Sequence, residues 1–492
     1  MKHNSAPHIG VIGGGIAGST TALHLCEQGF KVTLIERGAG LVSGPPICHL
    51  HAGGNLYREI SQQQCLDLLK QSIDTVRLYP HALNIRPTVI ATPTTDVGEP
   101  QALLPRLIAI QAAYRDLVEL DESNAVLGNP DDYYRLFDRD ELEALAQQTQ
   151  LKHPETISEW LIPFAKHVAL DKIKYPVVVV QEFGLSVFRL AASATLTLQS
   201  HPKCQLFTGC LLQGAEFHGS GWNLNYVDDS SHYHSLEVDY LVNACGYRSG
   251  TIDDVTRQPQ KRLVEFKSAF VTRWPESQMH WPEVIFHGER GTPDGMAQLT
   301  PYPDGYFQLH GMTEEITLFK QGLSSSNENS SQPKLANELE QKMRVGWPEG
   351  AQKERTSRAI EHLSRFVPMF CSAIEAGKPL YGAQQIPGSD PSLRAVDVSF
   401  TDKRYARVEI VKASSAYQAA TKIAKAVSQL GRNDQSFVTE QSPIKEQSLT
   451  TEQSIEQKHP NHLNLGLAEV ERKAVQLANQ RGYPEALAKV PN

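Results

Sequence analysis

Gly13, Gly15 and Gly18, spaced Gly-x-Gly-x-x-Gly, together with Glu36 further on, are the residues of this chain whose types and spacing suit one definite task. Gly13 permits a tight turn. Gly15 has no Cβ, so the backbone there can approach a pyrophosphate. Gly18 lets a helix pack closely on a strand. Ile16 and Ala17 open that helix, whose N-terminus offers unpaired N–H groups and a positive dipole end to phosphates. Glu36, followed by Arg37, falls where an acid takes the hydroxyls of an adenosine ribose. An acid at this point suits an unmodified ribose, which favours FAD or NAD over NADP. The alternative is a glycine-rich turn in some other α/β protein.

The elements needed to hold these residues are legible around them. An apolar strand is expected at 9–12, a helix from 16 to about 28, and a second strand at 31–35, giving a βαβ unit. A second module runs from 181 to 250. It has helical spacing at 188–199, then strands at 205–207, 211–217, 222–227 and 238–242. The last of these ends in Asn243-Ala244-Cys245-Gly246, read as a second cofactor contact rather than a plain buried strand end. From 262 to 319 short strands alternate with turn signals, as in an antiparallel sheet. Residues 322–332 read as a polar surface loop. A last strand at 406–411 leads through Lys412, Ala413 and Ser414 into a helix ending near 430. Residues 431–460 are rich in Gln, Ser, Glu and Thr and read as a flexible linker. Leu463, Leu467, Val470, Ala474 and Leu477 mark one face of a terminal helix within 461–492.

Composition narrows the class. A chain of 492 residues can bury a large core and divide into two domains. A net charge of −8 argues against nucleic acid, which needs a basic face. The seven cysteines include no CxxC, which points to reduced thiols and a cytoplasmic protein. No metal-ligand spacing is seen, the N-terminus has no signal-peptide pattern, and no apolar run of about 18 residues occurs.

The order of these pieces over roughly 8–430 resembles the FAD-dependent oxidoreductases of the D-amino-acid oxidase superfamily. Relatives include glycine and sarcosine oxidases, L-2-hydroxyglutarate oxidase and malate:quinone oxidoreductase. The resemblance is carried by GlyGlyGlyIleAlaGly with GluArg at 36–37, by LeuValAsnAlaCysGly at 241–246, by GluPheGlyLeuSerValPheArgLeu at 182–190, and by the strand-turn-strand at 299–311. It implies an α/β fold: a Rossmann-like FAD-binding domain and a second, antiparallel-sheet α+β substrate domain. The FAD domain would take 1–78, 180–255 and 375–430, and the substrate domain 79–179 and 256–374. The cofactor would be non-covalent FAD. By the same resemblance Leu212 would meet the adenine through its backbone. His49 and Gly53 would lie by the pyrophosphate and flavin, and Lys412, Ala413 and Ser414 would face the flavin pyrimidine. The usual glycine-rich turn after the last strand is replaced here by LysAlaSerSerAla. The glycine-rich segment before it is altered to GlyAlaGlnGlnIleProGlySerAspProSerLeuArgAla at 382–395.

The implied function is oxidation of a small carboxylated substrate, a 2-hydroxy acid or an amino acid, by hydride transfer to the flavin, with oxygen or a quinone as acceptor. The alternative is a flavoprotein with a binding, regulatory or partner-subunit role. A hydroxy acid benefits from a base, and His suits that task near neutral pH. His51 is the first candidate and His310 the second. A carboxylate calls for an arginine fork, for which Arg394 and Arg273 are candidates. Lys267, Tyr302 and Tyr306 are further candidates for the cavity. The terminal helix could serve a second subunit, a membrane surface or the protein's own body. Removal of the tail is expected to spare FAD binding.

Overall fold

The computed structural model describes residues 6–44, 60–277, 279–393, 398–430 and 465–491. Two sheets organise them. The first has six strands in the order Val398–Thr401, Tyr405–Val408, Tyr240–Asn243, His8–Ile12, Lys31–Ile35, Cys204–Phe207. All neighbours are parallel except the outermost pair at 398–408. Parallel strands buried on both faces read as short continuous apolar runs, and His8–Ile12 and Lys31–Ile35 are buried in all but their first residue. The helix Ile16–Glu27 connects them. Its residues 17–26 are all buried, because it is enclosed by the helices Val187–Ser200 and Ala416–Ser428. A three-stranded antiparallel sheet, Cys210–Phe217, Trp222–Asp228 and Tyr233–Val238, caps one end.

The second sheet has ten strands and is mostly antiparallel. At its centre lies the long strand Arg262–Arg273, flanked by Tyr306–Gly311, Ala297–Pro301 and Glu283–Phe286, then Thr88–Pro93, Ile173–Val180 and Tyr134–Phe137. Leu380–Pro387 pairs along Arg262–Arg273 from Arg262 to Ala269. This strand, placed with the FAD-binding segments on sequence grounds, hydrogen-bonds within the second sheet. Leu323–Ser325, inside the stretch read as a polar loop, also pairs with that long strand.

Side chains alternate across the second sheet. Val284, Leu299, Phe307 and Leu309 pack with Leu142, Leu161, Phe164 and Leu363 from the helices at 139–146, 157–167 and 349–364. Residues between them in sequence, Glu283, Gln298, Gln308 and His310, face the other way. On that side Ala269, Val271 and Leu380 join the apolar core of the first sheet. The two units therefore meet across a partly polar face.

The terminal helix is Leu467–Gln480. Val470, Ala474, Leu477 and Ala478 are buried, while Leu467 is exposed. It packs on the helix Val187–Ser200. Its apolar face is thus covered by the protein's own body, which closes the route by which that face would meet a second subunit or a membrane. The linker 431–460 and Leu463 lie outside the described residues. Among the described residues no helix is long and apolar enough to cross a membrane.

Candidate active site

The glycine turn is built as a cradle with one open side. Gly13 has φ +98°, and a Cβ there would lie 2.6 Å from the carbonyl oxygen of Ala244. A Cβ on Gly18 would lie 1.8 Å from the carbonyl oxygen of Gly13. Both positions need glycine for close approach. At Gly15, by contrast, a Cβ would meet nothing within 4 Å. Gly15 is the N-cap of the helix, and among the described residues no atom stands within 4 Å of its Cβ position at the helix N-terminus. That is the arrangement a pyrophosphate needs, and the residues present fit FAD.

Glu36 sits at the end of the second strand. Its carboxylate accepts from the backbone N–H of Gly14 and of Gly38, both at 2.5 Å. It therefore ties the glycine turn to the loop that follows it. Arg37 beside it is exposed. The N–H of Cys210 donates to the carbonyl of Glu36 at 2.9 Å, which sets Leu212 two residues along the neighbouring strand. The second segment lies directly behind the turn. Ala244 N–H donates to Ile12 O at 2.8 Å and the Cys245 thiol to the same oxygen at 3.3 Å. Burial pushes that thiol far above its ordinary pKa, so it is inert rather than nucleophilic. Gly246 has φ +56° and open space at its Cβ position.

A buried ionic hub fixes this segment. Asp253 accepts from Arg407 Nε at 2.6 Å, from the Tyr405 hydroxyl at 2.7 Å, and from Arg262. Asn243 Nδ2 donates to Tyr405 Oη at 2.8 Å. Arg262 also donates to Gln385 Oε1 at 2.9 Å, and Gln385 Nε2 donates to Val408 O at 2.9 Å. The hub therefore joins the first sheet to the second.

Lys412 precedes a short turn, Ala413–Ser415, that leads into the helix Ala416–Ser428. Ser414 and Ser415 are buried. Ser414 O accepts from Thr75 at 3.3 Å, and Ser415 Oγ donates to Gln71 at 2.6 Å. Next to this turn, Gln384 Nε2 donates to Val411 O at 2.6 Å, and its Oε1 accepts from Lys267 at 3.3 Å. Lys267 in turn pairs with Glu265 at 2.8 Å, and Glu265 also holds Arg290. Lys267 is thus committed to a carboxylate.

The polar face of the second sheet continues from there. Arg86 donates to Glu283 at 3.0 Å, Glu283 accepts from Gln298, and Gln298 stands opposite His310 in the strand register. All four residues are buried. Among the described residues two buried donors of Arg86, Nε and Nη1, have no partner. Arg189 is fully buried and bonds Leu83 O at 3.1 Å and the Asn84 side chain, and its Nε and Nη1 have no partner among the described residues. Tyr302 donates to Gln308 at 3.4 Å. Arg273 lies at the exposed end of its strand, on the carbonyl of Asp304 and the ring of Tyr306, so it is no buried carboxylate fork. His49, His51, Gly53 and Arg394 lie outside the described residues.

Sequence reasoning passed over Arg86, Glu283, Gln298 and Arg189. A signal was present: Arg86 and Glu283 are charged residues at the entry to strands otherwise made of Val, Ile and Phe.

A family model of FAD dependent oxidoreductases matches residues 8–393. The chain belongs to that family, the D-amino-acid oxidase type, and is an FAD-dependent oxidoreductase. No curated protein matches it in sequence. Among solved structures it is similar to glycine oxidase from Geobacillus kaustophilus, with TM-score 0.56 and 13% identity over 86% of this chain and 95% of that one. It is similar to L-amino acid deaminase from Proteus vulgaris, with TM-score 0.55 and 13% identity over 87% and 94%. It is similar also to FAD-bound L-alpha-glycerophosphate oxidase from Mycoplasma pneumoniae, with TM-score 0.53 and 14% identity over 87% and 94%. At these identities the likeness is one of fold.

Proposed function

We propose that this protein oxidises a small carboxylated substrate, a 2-hydroxy acid or an amino acid, to the corresponding oxo or imino acid. The observation that carries this reading is the buried polar line Arg86–Glu283–Gln298–His310 on the face of the second sheet turned toward the FAD unit. Bound FAD supplies a two-electron acceptor. The chain's own residues hold the substrate, shield it from water and take its proton.

In this reading Arg86 receives the substrate carboxylate. With Nη2 held by Glu283, its Nε and Nη1 point to either side of Cδ, so the substrate carboxylate takes one charged hydrogen bond from this guanidinium rather than a bidentate pair. Glu283 on Arg86 Nη2 fixes the orientation of that guanidinium. His310 is the described candidate for the base that accepts the hydroxyl or ammonium proton, and His51 and Arg394 stay candidates by resemblance. The cofactor seat comprises Gly13, Gly15, Ile16, Ala17 and Gly18, with Glu36 and Arg37 toward the ribose and Leu212 toward the adenine. Ala244, Cys245 and Gly246 lie behind it, His49 and Gly53 belong to it by resemblance, and Lys412, Ala413 and Ser414 border the flavin end. We assign FAD as non-covalent, the acceptor as oxygen or a quinone, and the location as cytoplasmic.

The test is product analysis. Purified holoprotein is incubated with single amino, N-methyl-amino and 2-hydroxy acids, and 2-oxo acid is trapped as its hydrazone. One class is expected to give product, and Arg86→Met is expected to raise KM for it about ten- to a hundredfold, the cost of a lost charged hydrogen bond of about 1.5–3 kcal/mol. Unchanged KM in Arg86→Met would remove Arg86 from the substrate site.

A further inference from the structure

The C-terminal segment lies beyond the residues matched by the family, which end at 393. It nevertheless reaches the nucleotide cradle. Arg481, one residue past the terminal helix, donates to the carbonyl of Leu41 at 2.7 Å and to that of Val42 at 2.8 Å. Val42 N–H donates to Gly14 O at 2.7 Å. A Cβ on Gly14 would lie 2.5 Å from Leu41 Cδ2, so Leu41 is seated on the glycine turn itself. The loop 38–42 is held from one side by Glu36 and from the other by Arg481.

The rest of the segment spans both units. Arg481 stacks over Phe188, and Tyr483 meets Phe188 edge-on. Tyr483 Oη donates to Pro379 O at 3.3 Å, and Lys489 pairs with Asp304 at 3.0 Å on the second sheet's side. Beside the packed helix an open groove of about 410 Å³ is lined by Gly40, Leu41, Leu198, Leu206, Lys473 and Leu477. Leu41 and Val42 are themselves buried in the core of the first sheet, so Arg481 bonds the carbonyls of a loop whose side chains are already packed.

We infer that Arg481 is a positioning residue of the FAD site: through the carbonyls of Leu41 and Val42 it holds the loop 38–42 against the glycine turn, and so sets cofactor affinity from the far end of the chain. This rests on the reading that the turn at 13–18 seats the pyrophosphate. It reverses the expectation that the tail is dispensable for FAD.

The experiment uses the full-length chain. FAD is stripped, and rebinding is measured by quenching of flavin fluorescence beside the melting temperature of the apoprotein. Arg481→Leu is expected to raise the Kd for FAD about ten- to a hundredfold while the apoprotein melts within about 3 °C of wild type. Arg481→Lys, which keeps one donor, is expected to fall between. Ala474→Glu, which puts a carboxylate into the buried helix face, is expected to weaken FAD similarly. Lys489→Ala, at the other unit, is expected to leave Kd within twofold. An unchanged Kd in Arg481→Leu overturns the inference, whether or not melting falls. Tight FAD binding by Gly15→Val overturns the cradle reading instead, so the two failures are distinguishable.

Discussion

Gln384 of the second sheet donates its side-chain N–H to the backbone carbonyl of Val411, the residue before Lys412, at 2.6 Å. The last approach to the expected flavin edge is therefore pinned by a side chain from the second sheet. Lys267 bonds the other end of the same amide. A neutral hydrogen bond of this kind contributes about 0.5–1.5 kcal/mol. Gln384→Leu is expected to retain FAD, shift its visible spectrum and slow reduction about two- to tenfold. Absorbance and rapid-mixing traces check this.

The glycines of the cradle separate into two kinds. Gly15→Val directs a side chain into open space and is expected to give folded protein without flavin. Gly18→Val meets the Gly13 carbonyl and is expected to yield misfolded or insoluble protein, since overpacking forces backbone shifts. Circular dichroism and the flavin-to-protein absorbance ratio distinguish the two outcomes.

Asp253 balances Arg262 and Arg407 in a site closed to solvent. Removing one partner from a buried ionic group leaves an uncompensated charge, at a cost of about 3–5 kcal/mol. Asp253→Ala is expected to lower the melting temperature by several degrees and to weaken FAD, because Asn243 and Tyr405 lose their anchor. Calorimetry of the holo and apo forms checks this.

Asp74, on the helix Gln62–Leu78, is pushed up to about 6 by burial, against the opposing pull of Arg77 and Lys70. The folded state therefore holds this proton to higher pH than the unfolded chain does. Between about pH 4 and 6 the folded state binds more protons, so stability falls as pH rises and then levels. Asp74→Asn is expected to flatten that slope and to stabilise the protein above pH 6 by about 2–3 kcal/mol. Denaturant melts at pH 4.5 and 7.5 measure it.

How much was legible follows from where the physics is local. The strand Lys31–Ile35 was readable to the residue, because its apolar run acts within a few positions. The glycine turn was readable because its steric demands fall on single residues. The strand Ile173–Val180 was not identified: a continuous valine run buried on both faces shows no alternation. Nor was the line from Arg86 to His310, whose members come from three strands and the loop before a fourth and meet only through pairing. The tail helix was legible from its face of Val470, Ala474 and Leu477, but its seat on its own chain depends on contacts far away in sequence.

In the proposed function a small carboxylated acid delivers electrons to FAD held by this chain. The direct measurement is flavin absorbance near 450 nm on anaerobic mixing of holoprotein with individual amino, N-methyl-amino and 2-hydroxy acids. Complete bleaching by at least one class is expected, slowed about 10²–10⁴-fold in His310→Ala. A flavin that stays oxidised with every acid, yet bleaches with dithionite, would contradict it.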